Sequence, residues 1–180
     1  MNKDDIEFTK AWWLRTVNDN DRLVPWLQKL QRTELSGYQD HIDFMAANEV
    51  TERERLILTN IAEDELIHSQ LLIDLFEDRG IEVVPNGVQS AYWDDILANI
   101  NNTAEYCAAN YFGEALASYR FEIILSMDET PSDIRYVIGR ALPDEIFHRE
   151  TLQRLAGEEA IAKIKAIHDE AYARLTGRAA

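Results

Sequence analysis

The 180-residue sequence predicts an all-α fold: four long helices in two hairpins, a long crossover between the hairpins, and an additional helix at each end. Three observations carry this reading. Apolar residues recur every three to four positions through six stretches, the period of a helix with one buried face. Capping and breaking residues bracket those stretches. A set of glutamates and histidines in the first hairpin returns in the second at a constant offset of 80 residues, an internal repeat of chemistry.

Residues 4–17 read as a short amphipathic helix with Phe8, Trp12, Trp13 and Val17 on its apolar side. The run Asn18-Asp19-Asn20-Asp21 is a turn and cap cluster. A long helix follows over 21–47, in which Pro25 is tolerable because it falls near the first turn. Its stripe is Leu23, Trp26, Leu27, Leu30, Glu34, Tyr38, His41, Ile42 and Met45, so Glu34 points inward. Gly37 weakens this helix, by about 0.5–1 kcal/mol relative to alanine.

Thr51-Glu52-Arg53-Glu54 has the form of a capping box and opens the second long helix. Leu58, Ile61, Ala62, Glu65, His68, Leu72, Leu75 and Phe76 form its inward stripe, and Gly80 closes it. A loop over 81–90, with Pro85-Asn86-Gly87, leads to a short helix from Ser90 to Ile100; together 80–102 has the length of a crossover. The third long helix spans 102–127 and turns Tyr106, Cys107, Asn110, Tyr111, Glu114, Ala117, Phe121 and Leu125 inward. Thr130-Pro131 reads as a cap with proline at the first helical position. The fourth, 131–155, turns Ile134, Val137, Ile138, Ala141, Glu145, His148, Leu152 and Leu155 inward. Gly157 breaks it before a last helix over 158–176, whose apolar side holds Ile161, Ile164, Ile167, His168, Ala171 and Leu175.

The repeat concerns Asp64-Glu65-Leu66-Ile67-His68 and Asp144-Glu145-Ile146-Phe147-His148, both Asp-Glu-x-x-His. On a helix, positions i and i+3 share a face about 5–6 Å apart at Cβ, so one carboxylate and one imidazole can reach the same ion. Glu34 precedes Glu65 by 31 residues, and Glu114 precedes Glu145 by 31. Each glutamate lies 13 residues from its hairpin turn, about 20 Å along the axis, so partners share a height. Glu122 would sit more than two turns lower, which favours Glu114. Four inward glutamates need compensation, since bare carboxylates do not persist in a core. Two divalent cations supply it, and mixed carboxylate–imidazole donors suit iron, with manganese as the alternative. Ligand histidines commonly donate their second ring N–H to a carboxylate. Asp64 is placed for His148 and Asp144 for His68.

These residues resemble the ferritin-like di-iron carboxylate superfamily of ferritins, bacterioferritins, rubrerythrins and small di-iron oxygenases. There, one Glu from each of two helices joins Glu-x-x-His from the other two. The resemblance spans Glu34 to His148. It implies a single ferritin-like domain over 1–180 holding two iron ions, with Glu65 and Glu145 bridging, Glu34 and Glu114 terminal, and His68 and His148 completing one ligand set each. It also makes Tyr38 and Tyr111, one turn from Glu34 and Glu114, candidates for redox-active catalytic residues. The implied activity is a di-iron oxidoreductase that activates dioxygen or peroxide and oxidises or oxygenates a small organic substrate, drawing on an external electron donor. The alternatives are a ferroxidase of iron storage, a rubrerythrin-type peroxide reductase, and a metal-binding module without turnover. Rubrerythrins add a glutamate one turn after the ligand of the third helix, where this chain has Ala117.

Composition agrees. Hydrophobic content of 46% and charged content of 28% fit a globular domain. Apolar runs are short and broken by charge, the start lacks a basic-then-apolar leader, and a cytoplasmic location is expected, with no membrane partner. A net charge of −15 disfavours nucleic acid. Cys107 is the only cysteine, so no intrachain disulfide and no Cys-x-x-Cys iron centre can form. A homodimer is an allowed assembly.

Overall fold

The computed structural model describes residues 3–84, 93, 96 and 98–175, which contain helices and no strand. The helices are α1 (Lys3–Val17), α2 (Asn20–Ala47), α3 (Glu52–Arg79), α4 (Thr103–Ser126) and α5 (Ser132–Leu175). Gly157, at φ 72° and ψ 168°, divides α5 into arms 132–156 and 158–175, where the sequence places its break. Among the described residues no helix is long and apolar enough to cross a membrane. The expected Pro85 loop and Ser90-capped helix lie largely outside the described residues; 81–84 are non-helical, and Trp93 and Ile96 are helical.

The chain divides into two compact units: Met1–Gly87 with Ala117–Asp144, and Val88–Leu116 with Glu145–Ala180. The first is built on a core of Trp13, Leu23, Leu27, Leu72, Leu75, Phe76, Phe121, Ile124, Ile134 and Ile138. Its helix ends follow the sequence signals. Asp19 caps α2, its side chain accepting the Asp21 N–H at 3.0 Å. Thr51 and Glu54 form the full capping box of α3. Gly80 ends α3 in the left-handed region at φ 64°, and the next N–H, of Ile81, donates to the Phe76 carbonyl at 2.9 Å. Arg135 reaches the last carbonyls of α4, donating to Leu125 O and to Met127 O, so orphan acceptors at that end are filled. Arg79 holds Asp133 in a fork at 2.6 and 2.8 Å.

Three local expectations are corrected. α1 buries Asp5, Thr9, Trp13 and Thr16, while Phe8 is exposed and Trp12 and Val17 are half-buried. The rotation is set by Trp13, whose indole N–H donates to Thr130 Oγ1 at 2.8 Å and whose ring meets Trp26 edge-on at 4.9 Å. Thr130 is not a cap, because its hydroxyl is spent on Trp13 and on the Ile124 carbonyl at 2.6 Å; Pro131 supplies the first helical acceptor, to Arg135 N–H, and α5 starts at Ser132. Pro25 lies within α2, beyond its first turn, and the helix continues through it.

In the second unit α4 buries more of its circumference than one stripe, since Ala108, Ala109 and Phe112 join Tyr106 and Cys107. Trp93 packs against Gly113, where a Cβ would stand only 2.8 Å from the indole. Asn102 caps α4 through the Glu105 N–H at 2.9 Å. Glu105 in turn accepts from Lys163 at 2.6 Å and from Asn101 at 2.9 and 3.0 Å. The Lys163 ammonium, then Asn101, hold its carboxyl down from the usual 4.5 to about 2. A depressed carboxyl contributes stability above its unfolded value and loses it as pH falls through the folded one. Lys163→Met is therefore expected to lower the urea midpoint at neutral pH, with the deficit closing between pH 4.5 and about 2. Paired urea titrations across that range check this; a deficit unchanged near pH 2 contradicts it.

Candidate metal centre

Glu34 on α2, Glu65 and His68 on α3, and Glu145 and His148 on α5 are all buried, and Glu114 on α4 is half-buried. Ligand-competent atoms form two groups, each within 4.8 Å: Glu34, Glu65, His68 and Glu145; and Glu65, Glu114 and His148. Between them the groups contain all six residues singled out by the 80-residue repeat. Glu65 belongs to both. Glu122 is exposed and in neither.

The first unit shows how a donor is aimed. His68 Nε2 lies 3.2 Å from Asp144 Oδ2, the partner expected from the sequence. The opposite ring nitrogen, Nδ1, lies 3.5 Å from Glu34 Oε2. With Asp144 accepting the Nε2–H, Nδ1 carries the lone pair and faces the carboxylates. Asp64 is half-buried.

The donors fit a metal on an observation independent of spacing. Glu65 Oε1, His68 Nδ1, Glu145 Oε1 and His148 Nδ1 are buried atoms that take part in no hydrogen bond, although none of the four residues is without a partner. A buried carboxylate oxygen or imine nitrogen left so is costly, about 1–3 kcal/mol each, and a cation coordinating these atoms removes the cost. The set of four carboxylates and two imidazoles is hard-to-borderline, suited to Fe or Mn.

Other candidates are placed more plainly. Tyr38 is half-buried; Tyr111 is half-buried with its ring 4.9 Å from Phe112. Neither is a member of the two groups. Phe112 stacks on His168 at 4.4 Å, and His168 on Tyr172 at 5.9 Å, so His168 packs among rings as its place on an apolar side suggested. Burial pushes the His168 imidazole below its usual value, against Asp169 and with Lys165. Cys107 is fully buried, consistent with a small apolar role.

Two features escaped the sequence reading. Gln31 and Ser69 form a buried hydrogen bond of 2.9 Å, one turn from Glu34 and one from Glu65. Its only trace in the sequence is a Gln and a Ser on otherwise apolar faces. Gly37, read as a weak point of α2, lies directly against the Glu65 side chain. Comparisons with family models, with curated proteins and with solved structures find no match to this chain.

Proposed function

We propose that the chain is a ferritin-like di-metal oxidoreductase that uses two iron ions to activate dioxygen or peroxide for the oxidation of a small organic substrate. The observation that supports this most is the membership of Glu65 in both donor groups, the arrangement a bridging carboxylate requires. Iron bound there would supply one-electron chemistry at two adjacent ions, with electrons returned by an external donor.

The chain's own residues have definite tasks in this reading. Glu34, Glu65, Glu114 and Glu145 balance the charge of two divalent ions. Asp144 fixes the tautomer of His68 and raises its basicity through the Nε2–H. Buried Ile61 and Leu72, one turn before Glu65 and one turn after His68 on the same stripe of α3, keep water from the donors, so electrostatic interactions there are strong. Tyr38 and Tyr111 are candidates for electron or proton transfer. The absence of a carboxylate at Ala117 ranks an oxidase or oxygenase above a rubrerythrin-type peroxide reductase.

The test is anaerobic loading with Fe(II), then exposure to air or peroxide, followed by ultraviolet–visible absorption. The reading expects two iron ions per chain and oxidation faster than the buffer control. Stoichiometric binding without accelerated oxidation would leave a metal-binding module and overturn the enzymatic reading. Elution as a large hollow cage on gel filtration would favour iron storage.

A further inference from the structure

Gly37 stands one turn after Glu34, in the interior of α2, which continues to Ala47. Its backbone is not left-handed; that conformation belongs to Gly80 and Gly157. No turn or cap calls for glycine here, and helix propensity argues against it. What calls for it is Glu65. A Cβ at position 37 would lie 3.3 Å from Glu65 Cγ and Oε2 and 3.4 Å from Cδ. Packed carbon atoms settle at about 3.5–4.0 Å, so an alanine methyl would press on the carboxylate along its whole length. The softest response is a shift of the carboxylate by a few tenths of an ångström, because a glutamate's side-chain torsions yield more readily than two helix backbones do.

Glu65 is the side chain that belongs to both donor groups, so its placement matters to two ions rather than one. From this we infer that Gly37 is a positioning residue of the metal centre: by lacking a side chain it lets the Glu65 carboxylate lie where both groups can use it. The inference rests on the di-metal reading above and adds to it the residue that sets the bridge. A merely structural glycine and a positioning glycine differ in sign. If Gly37 only loosens α2, alanine strengthens the helix and leaves the metal affinity as it was. If Gly37 places Glu65, alanine strengthens the helix and weakens the metal.

The experiment titrates the metal-free wild type and Gly37→Ala with Co(II), read by isothermal calorimetry and by the visible ligand-field spectrum, and records the metal-free melting temperature of each. Ser36→Ala, on the exposed face of the same turn, is the control. The inference expects two Co(II) per wild-type chain. For Gly37→Ala it expects at least a tenfold loss of affinity for one ion or both, an altered spectrum, and a metal-free melting temperature equal to or above wild type. Wild-type binding with Gly37→Ala matching it within twofold and in spectrum overturns the inference and leaves the di-metal reading standing. No Co(II) uptake by wild type overturns both. A Gly37→Ala protein that fails to fold without metal also overturns the inference, since glycine would then be required for helix packing itself.

Discussion

Replacing Glu65 with leucine is expected to abolish the protein's response to metal. Glu65 is a buried carboxylate, with the carboxylates of Glu34 and Glu145 in the same 4.8 Å group. For a chain of this length each kcal/mol moves the melting temperature by about 2–4 °C. With an ion present those charges are balanced. A ligand at a thousandfold excess over its Kd stabilises the folded state by about 4 kcal/mol, and Glu65, counted in both donor groups, is the single residue whose loss removes a ligand from each. Melting curves of wild type and Glu65→Leu, with and without Mn(II), measure the metal-dependent gain of each. A variant that still gains from Mn(II) as wild type does contradicts the account.

Trp13→Ala is expected to be the most damaging substitution away from the Glu/His groups, at about 3–5 kcal/mol. Trp13 is fully buried and lies among Trp12 and Trp26 with ring centroids 6.0 and 4.9 Å away. Its indole N–H is tied to Thr130, 117 positions on in the chain. Alanine therefore leaves a large cavity and also frees the hydroxyl that helps order the turn between α4 and α5. With a urea slope of about 1–3 kcal/mol per molar, the midpoint should fall by at least about 1 M. Trp13→Phe keeps much of the ring packing and loses the hydrogen bond, so its loss should be well under half as large. Equal losses for the two variants would show that the hydrogen bond, not the packing, is what Trp13 supplies.

The parts of this molecule legible in the sequence are those encoded locally. The Asp19 cap, the Thr51–Glu54 box and the glycine stops at 80 and 157 each depend on a few neighbouring residues, and each stands where the sequence puts it. The stripe of α3, from Leu58 to Phe76, is buried throughout. The gathering of Glu34, Glu65, His68, Glu114, Glu145 and His148 into two groups was legible for a different reason: helical periodicity converts a spacing of three, and a matched distance from a turn, into a common height and face. That reasoning also separated Glu114 from Glu122. What was not legible depends on partners far away in the chain. Phe8 looks as apolar as Trp13, yet α1 is rotated to suit Thr130, which no local pattern around α1 mentions. Thr130 itself has the composition of a cap and spends its hydroxyl elsewhere. Gly37 reads as a flaw until Glu65, 28 positions later, is seen to occupy its missing side chain. The Gln31–Ser69 bond is invisible for the same reason: each residue alone reads as a polar interruption, and only together do they satisfy one another.

Crystals grown with Mn(II) and measured at a wavelength where manganese scatters anomalously test the central claim most directly. The account predicts two peaks per chain, one among Glu34, Glu65, His68 and Glu145 and one among Glu65, Glu114 and His148, with both imidazoles approaching through Nδ1. Manganese found only on the acidic outer surface, with those six side chains empty of density between them, would contradict it.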